Sequence, residues 1–347
     1  MSRLWRYGLD GTGGEEVPLP EPGSLAGLDA DPLIGRAFFT FTSFARPPEL
    51  WRWTPDGGAE RWSEPAGAAI DPDRYRVEQV FYPSTDGTDV PMFVVSAPGS
   101  GRSPETPTVL SGYGGFAISS TPAFSPGLVA WCDAGGVFAL ACIRGGGEYG
   151  EDWHRAGMLH NKQQVFDDFA AAADWLVDQG RTSRERLAIR GGSNGGLLVG
   201  VTLVQRPHLC RAAVCAVPLL DMLRYHRFLI GGLWVPEYGD PDDADDFGVL
   251  YAYSPYHHVA DGVAYPAVLI TTAESDSRVD PMHARKFAAR LQAATSSGKD
   301  RPVLLRVETR AGHGLGKPRW KQAEELADMW AFLFWQLGLG HAAVSGP

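Results

Sequence analysis

The chain has 347 residues, 44% of them hydrophobic and 21% charged, the balance of a folded globular protein and not of a disordered, collagenous or coiled-coil one. Lys and Arg number 31 against 41 Asp and Glu, a formal net charge of −10; such a surface repels phosphate backbones, so no nucleic-acid partner is expected. At this length folding removes roughly 75% of the unfolded chain's surface from water, enough for a large core without disulfides or metals.

Residues 1–78 are rich in Pro, Gly and Trp and show no helical period. Arg36–Phe44 is aromatic and β-branched and predicts a strand. Leu50–Trp53 and Glu60–Trp62 flank Pro55-Asp56-Gly57-Gly58, the turn of a second strand pair. Composition shifts near residue 78, and two units are expected: a β-rich 1–78 and a larger 79–347. Val77–Tyr82 and Val90–Val95 read as a strand pair bridged by Ser84–Thr88. Strands then alternate with helices. Thr108–Leu110, Val137–Ile143, Leu187–Ile189, Ala212–Val217, Ala267–Thr272 and Val303–Val307 are apolar runs, and Val165–Gln179, Leu197–Val204, Pro281–Ala293 and Ala323–Leu337 read as helices. Near-continuous apolar strands between helices predict an α/β fold, a mostly parallel sheet covered on both faces.

The sharpest chemical signal is Gly191-Gly192-Ser193-Asn194-Gly195-Gly196, a Gly-x-Ser-x-Gly between a strand and an apolar helix. That is the setting of a nucleophile elbow, in which small residues let the chain turn and leave the Ser oxygen exposed. A serine needs a neighbouring base, and in this arrangement acid and then His follow later in the chain. Asp276 sits in a loop after the strand Ala267–Thr272, with Glu274 its rival for the acid role. His313 lies between glycines after the strand Val303–Val307.

Five motifs in this order resemble the catalytic domain of the prolyl oligopeptidase family of serine peptidases: Tyr113-Gly114-Gly115-Phe116, Ile143–Gly150, Gly191–Gly196, Asp276-Ser277-Arg278-Val279 and Ala311-Gly312-His313-Gly314. The resemblance runs from about residue 75 to 337. It implies an α/β-hydrolase fold that cuts peptides after proline through an acyl-enzyme. Ser193 is then the nucleophile, His313 the base and Asp276 the acid, because Asp276 and not Glu274 matches the family's Asp-x-Arg-Val. It also implies that the Tyr113 hydroxyl and the Asn194 backbone N–H form the oxyanion hole. Arg278 would bind a substrate carbonyl, and Trp234 would stack on the proline ring with Phe116 and Leu219 beside it; core packing is the lesser alternative for Trp234. A broad esterase, an acylaminoacyl-peptidase-like hydrolase or an inactive fragment are the alternatives. The family covers its site with a seven-bladed β-propeller, and residues 1–78 resemble only its end, about one blade and part of another. Arg36–Phe44 is therefore expected to present an unpaired edge, and self-association through the bare face is expected.

Other features carry bland readings. Gly145–Gly150 fits a dinucleotide fingerprint after a strand, but no apolar helix follows, so no cofactor is expected. Asp240–Asp246 lacks EF-hand spacing and reads as a solvated loop, and no zinc pattern exists; no metal is expected. The four cysteines, Cys132, Cys142, Cys210 and Cys215, form no CxxC pair and suit a reducing cytoplasm. No run approaches the ~18 apolar residues of a membrane span. The first ten residues lack the apolar stretch of a signal peptide, although the missing front of a longer chain would leave that open.

Overall fold

The structure, a computed structural model, describes residues 1–63, 70–100, 102–309, 312–313 and 318–339. The chain opens with a short antiparallel ribbon, β1 (Leu4–Arg6) with β2 (Glu15–Val17). Four strands follow in sequence order as one antiparallel sheet: β3 (Ser24–Asp31), β4 (Arg36–Thr42), β5 (Glu49–Thr54) and β6 (Gly58–Arg61). Alternation along β4 buries Phe39 and Phe41 on one face. The expectation that β4 is an open edge fails, because it pairs with β3 on one side and β5 on the other. The residues of β3, SLAGLDAD, lack aromatic or β-branched runs and hid that strand. The edges of this sheet are β3 and β6.

The second sheet begins with the hairpin β7 (Arg76–Pro83) and β8 (Asp89–Ser96), so the composition shift near residue 78 falls inside a strand. Then come β9 (Thr108–Gly112), α1 (Pro126–Asp133), β10 (Val137–Ala141), α2 (Glu151–Arg155), α3 (Gln163–Asp178), β11 (Leu187–Gly192), α4 (Asn194–Gln205), β12 (Ala212–Ala216), α5 (Val235–Tyr238), α6 (Ala244–Tyr253), β13 (Ala267–Ala273), α7 (Met282–Ala294), β14 (Val303–Glu308) and α8 (Arg319–Leu337). Among the described residues this sheet has eight strands in the order β14-β13-β12-β11-β9-β10-β8-β7. Neighbours from β14 to β10 are parallel, and β8 and β7 join antiparallel at one edge. This is the α/β-hydrolase fold expected.

Alternate residues of each central strand feed two cores. Leu110, Ile189, Ala213 and Ile270 pack with α3, α4 and α7, while Val109, Ala188, Val214 and Leu269 pack with α1 and α8. Each fully buried aliphatic side chain contributes about 1.5–3 kcal/mol. The smaller sheet is pinned to this body by Phe44, whose ring lies 5.6 Å from Phe93 and 6.3 Å from Phe138. Ser24 Oγ also donates to the Pro122 carbonyl at 2.6 Å. All four cysteines are free and buried in the larger body. Among the described residues no helix is long and apolar enough to cross a membrane.

Candidate active site

The site stands at the C-terminal ends of the parallel strands, where the chain leaves the sheet. After β11 the backbone turns so sharply that Ser193 sits at φ 58°, ψ −117°, a region costly to a residue with a Cβ. Its neighbours over-determine that conformation. The Ser193 N–H donates to the Ala216 carbonyl (2.9 Å), and its carbonyl accepts from Gly196 N–H (2.9 Å) and Leu197 N–H (3.1 Å). A Cβ on Gly191 would come within 2.1 Å of the Gly195 carbonyl oxygen, which is why the pattern needs glycine there. Ser193 is left half-buried.

The other two expected members lie on neighbouring strands of the same sheet. Asp276 follows β13 and is buried; its Oδ1 accepts the N–H groups of Arg278 (2.9 Å) and Val279 (3.0 Å). Its Oδ2 meets His313 Nδ1 at 2.6 Å. Burial works to raise the Asp276 carboxyl, but the His313 ring and the two backbone N–H groups outweigh it and hold it below the usual range. With Nδ1 committed to the carboxylate, Nε2 is the ring nitrogen that can take a proton. Glu274 is exposed and makes no such contact; its backbone N–H pairs with the Glu308 carbonyl at 2.9 Å. Ala311 and Gly314, which complete the His313 motif, lie outside the described residues.

Tyr113 follows β9, the strand beside β11. Burial raises its phenol, while a hydrogen bond with the Ser193 side chain and the Arg278 charge pull it back. The hydroxyl of Tyr113 is therefore beside the Ser193 side chain, with the Arg278 guanidinium close by. Arg278 is exposed and, among the described residues, has no ion-pair partner. Asn194 opens α4, and the first N–H groups of a helix lack an intrahelical acceptor. Its side chain is locked: Nδ2 donates to the Tyr113 carbonyl (2.6 Å) and Oδ1 accepts from the Tyr238 hydroxyl (2.8 Å). Phe116, at φ 59°, sets its ring 5.5 Å from Tyr238, edge to face. Trp234, just before α5, is half-buried against the same core. Leu219 is 2% exposed and sits in that core.

Several residues beside the site carried no local signal. Lys162 and Glu237 form a buried ion pair beneath the Tyr113 loop, with Lys162 wholly inaccessible and the half-buried His154 ring against Glu237. Arg144 and Asp168 form a second such pair, with contacts of 2.5–3.2 Å extended to Asp86. Gly145 and Gly147 serve close packing: a Cβ on Gly145, at φ 85°, would meet the Gly114 carbonyl oxygen at 2.6 Å, and one on Gly147 the Ala117 carbonyl oxygen at 2.3 Å. Asp240–Asp246 is not simply a solvated loop, because Asp243 caps α6 by accepting from the N–H groups of Asp245 and Asp246.

Comparison with known proteins identifies the family and the fold. The profile described as "Prolyl oligopeptidase family" matches residues 122–340. The chain is 39% identical over 340 residues to a prolyl endopeptidase of Elizabethkingia miricola, covering 98% of this chain and 48% of that protein. It is 40% identical over 341 residues to the prolyl endopeptidase of Elizabethkingia meningoseptica, again covering 98% and 48%. A solved structure from a study of two prolyl endopeptidases superposes with a TM-score of 0.91 at 48% identity, over 97% of this chain and 50% of that one. Prolyl oligopeptidase B of Galerina marginata, bound to a 25-residue macrocyclization substrate, superposes with a TM-score of 0.90 at 34% identity, over 97% and 47%. The chain thus spans about half the length of the curated relatives it matches.

Proposed function

The chain belongs to the prolyl oligopeptidase family, and on that footing we propose that it is a serine endopeptidase cleaving peptides on the carboxyl side of proline. Ser193 Oγ attacks the scissile carbonyl as His313 Nε2 takes its proton. The tetrahedral oxyanion is held by the Tyr113 hydroxyl and the Asn194 N–H. Collapse expels the amine, which receives the proton from His313, and leaves an ester on Ser193. Water, deprotonated by the same ring, then releases the acid. Asp276 holds the ring's tautomer and stabilises the imidazolium. Arg278 grips a substrate carbonyl, and Trp234, with Phe116 and Leu219 nearby, takes the flat pyrrolidine, which has no N–H to satisfy.

The observation that carries this reading is the 2.6 Å contact of His313 with the buried Asp276, in the loops after β14 and β13 of the same sheet whose β11 leads into the Ser193 elbow. The test compares two peptides that differ only in Pro or Ala before the scissile bond. Preference for Pro by tenfold or more in kcat/KM is expected; equal rates would favour a broad esterase or acylaminoacyl-peptidase. A chain that fluorophosphonate does not label would be an inactive remnant.

The same proposal reads residues 1–78 as the end of a propeller and 79–347 as the catalytic unit. It places the protein in the cytoplasm, in keeping with four unpaired cysteines. It also includes self-association through the hydrolase face that the family's propeller covers, which dilution on a size-exclusion column would reveal. Peptide is the only partner it requires.

A further inference from the structure

The loop that carries Tyr113 is gripped from below by charges with no part in the chemistry just described. Lys162, at the start of α3, is fully buried; its Nζ donates to the Gly114 carbonyl at 3.0 Å and to Glu237 Oε1 at 3.1 Å. Glu237, on α5, is 4% exposed, and its Oε2 meets His154 Nε2 at 2.8 Å. The next residue, Tyr238, donates its hydroxyl to Asn194 Oδ1 at 2.8 Å, and Asn194 Nδ2 donates to the Tyr113 carbonyl at 2.6 Å. Two successive carbonyls of the loop, those of Tyr113 and Gly114, are thus each held by a side-chain donor. Both donors are in turn held by adjacent residues of one short helix.

A buried ion pair is a poor source of net stability. Desolvation consumes most of its Coulomb energy, and apolar residues of the same volume often do as well or better. Its geometry here is better matched to placement than to stability. A charge-assisted bond to a carbonyl is short and directional, and catalysis by an oxyanion hole depends on donors fixed before the charge develops. Trp234 immediately precedes α5, so the indole assigned to the proline ring and the groups steadying the hole share one mount.

We propose that Lys162 and Glu237 are positioning residues for the oxyanion hole. Their ion pair clamps the Gly114 carbonyl, and Tyr238 steadies Asn194, so that the Tyr113 hydroxyl and the Asn194 N–H stay aimed at one point beside Ser193. This rests on the reading of Ser193 as nucleophile.

The test uses Lys162→Met and the double variant Lys162→Met/Glu237→Gln, which leaves no unpaired buried charge should the single variant fold poorly. Three quantities are read: the rate of fluorophosphonate labelling, kcat and KM on a proline peptide, and the melting temperature. Losing a hole donor outright costs about 10²–10³ in rate, so a displaced one is expected to cost roughly 10–10². Labelling and kcat should fall by that factor in both variants, with KM changed less than about threefold, because ground-state binding is untouched. The double variant should melt close to the wild type. A double variant that folds and labels at the wild-type rate overturns the proposal. So does a loss that appears in KM and melting temperature in the same proportion as in kcat, since that is what a merely structural pair would give. Wild-type protein that labels but shows no preference for proline refutes the substrate assignment and leaves this test intact. Wild-type protein that labels no faster than Ser193→Ala refutes both.

Discussion

The two sheets of the molecule stand in different relations to water. Every residue of β13 is buried, as are most of its neighbours, because helices cover both faces. In β3, by contrast, Ala26–Asp31 are all exposed, and Leu9 and Leu33 nearby are 92% and 94% accessible. Trp5, Tyr7, Leu28 and Trp53 line an open groove of about 420 Å³ on this smaller sheet. The larger sheet completes its own core. The smaller one buries chiefly Phe39 and Phe41 of β4 and Phe44 just after it, and much of its remaining apolar surface is open among the described residues. Chemistry and self-sufficiency therefore coincide in one unit: each residue assigned to the site follows a strand of, or lies in a connection over, the covered sheet.

The strongest way to sharpen that contrast is Ser193→Ala. Turnover should fall by at least ~10⁴-fold, while circular dichroism and melting temperature stay unchanged, because the elbow is held by backbone hydrogen bonds that the lost oxygen does not make. A variant that still turns over substrate at more than a hundredth of the wild-type rate would detach the chemistry from the elbow.

Next in size is a matched pair of truncations. Leu333→Ala on α8, fully buried against the large sheet, should cost about 2–5 kcal/mol in urea unfolding. Leu33→Ser should cost less than about 0.5 kcal/mol. Equal costs would show that the small sheet has a core as demanding as the large one.

A pH effect of similar or smaller size should belong to the large unit. His283 on α7 is 2% exposed, and its Nδ1 accepts the N–H groups of Leu220 (3.2 Å) and Asp221 (3.1 Å). Burial is the main cause that lowers its ring from 6.5 to about 4. Between those values the unfolded chain binds a proton that the folded chain refuses. Stability should therefore fall as pH drops from about 6.5 to 4 and level off below, by up to roughly 3 kcal/mol from this group. In His283→Gln that part of the slope should vanish; an unchanged slope from pH 7 to 4.5 would assign it elsewhere.

Legibility in the sequence followed the range of the interactions. The elbow was legible because a sharp strand-to-helix turn needs small residues at fixed offsets, and His313 because it follows an apolar strand in a loop; position after a strand left Asp276 and Glu274 level, and only the resemblance to Asp-x-Arg-Val chose Asp276. The core strands declared themselves as apolar runs. Short elements did not: α1 is apolar nearly all round, α2 and α5 are barely one turn, and β3 has a charged, weakly patterned sequence. The Lys162–Glu237–His154 group was invisible for a different reason. Its members come from α2, the start of α3 and α5, and each alone looks like an ordinary surface charge until the fold buries it.

The four free cysteines offer a clock for opening. All lie between residues 132 and 215, at most 4% exposed, and the small sheet has none. Burial pushes the thiols of Cys132, Cys142 and Cys210 up to about 12, and that of Cys215 up as well. Since the thiolate is the form that reacts, an alkylating reagent should find almost nothing to attack in the closed molecule. Modification then waits on the hydrolase unit exposing its interior, and its rate measures how often that happens. Fraying or unfolding of the first 63 residues would pass unrecorded, so the reagent times one unit against the silence of the other.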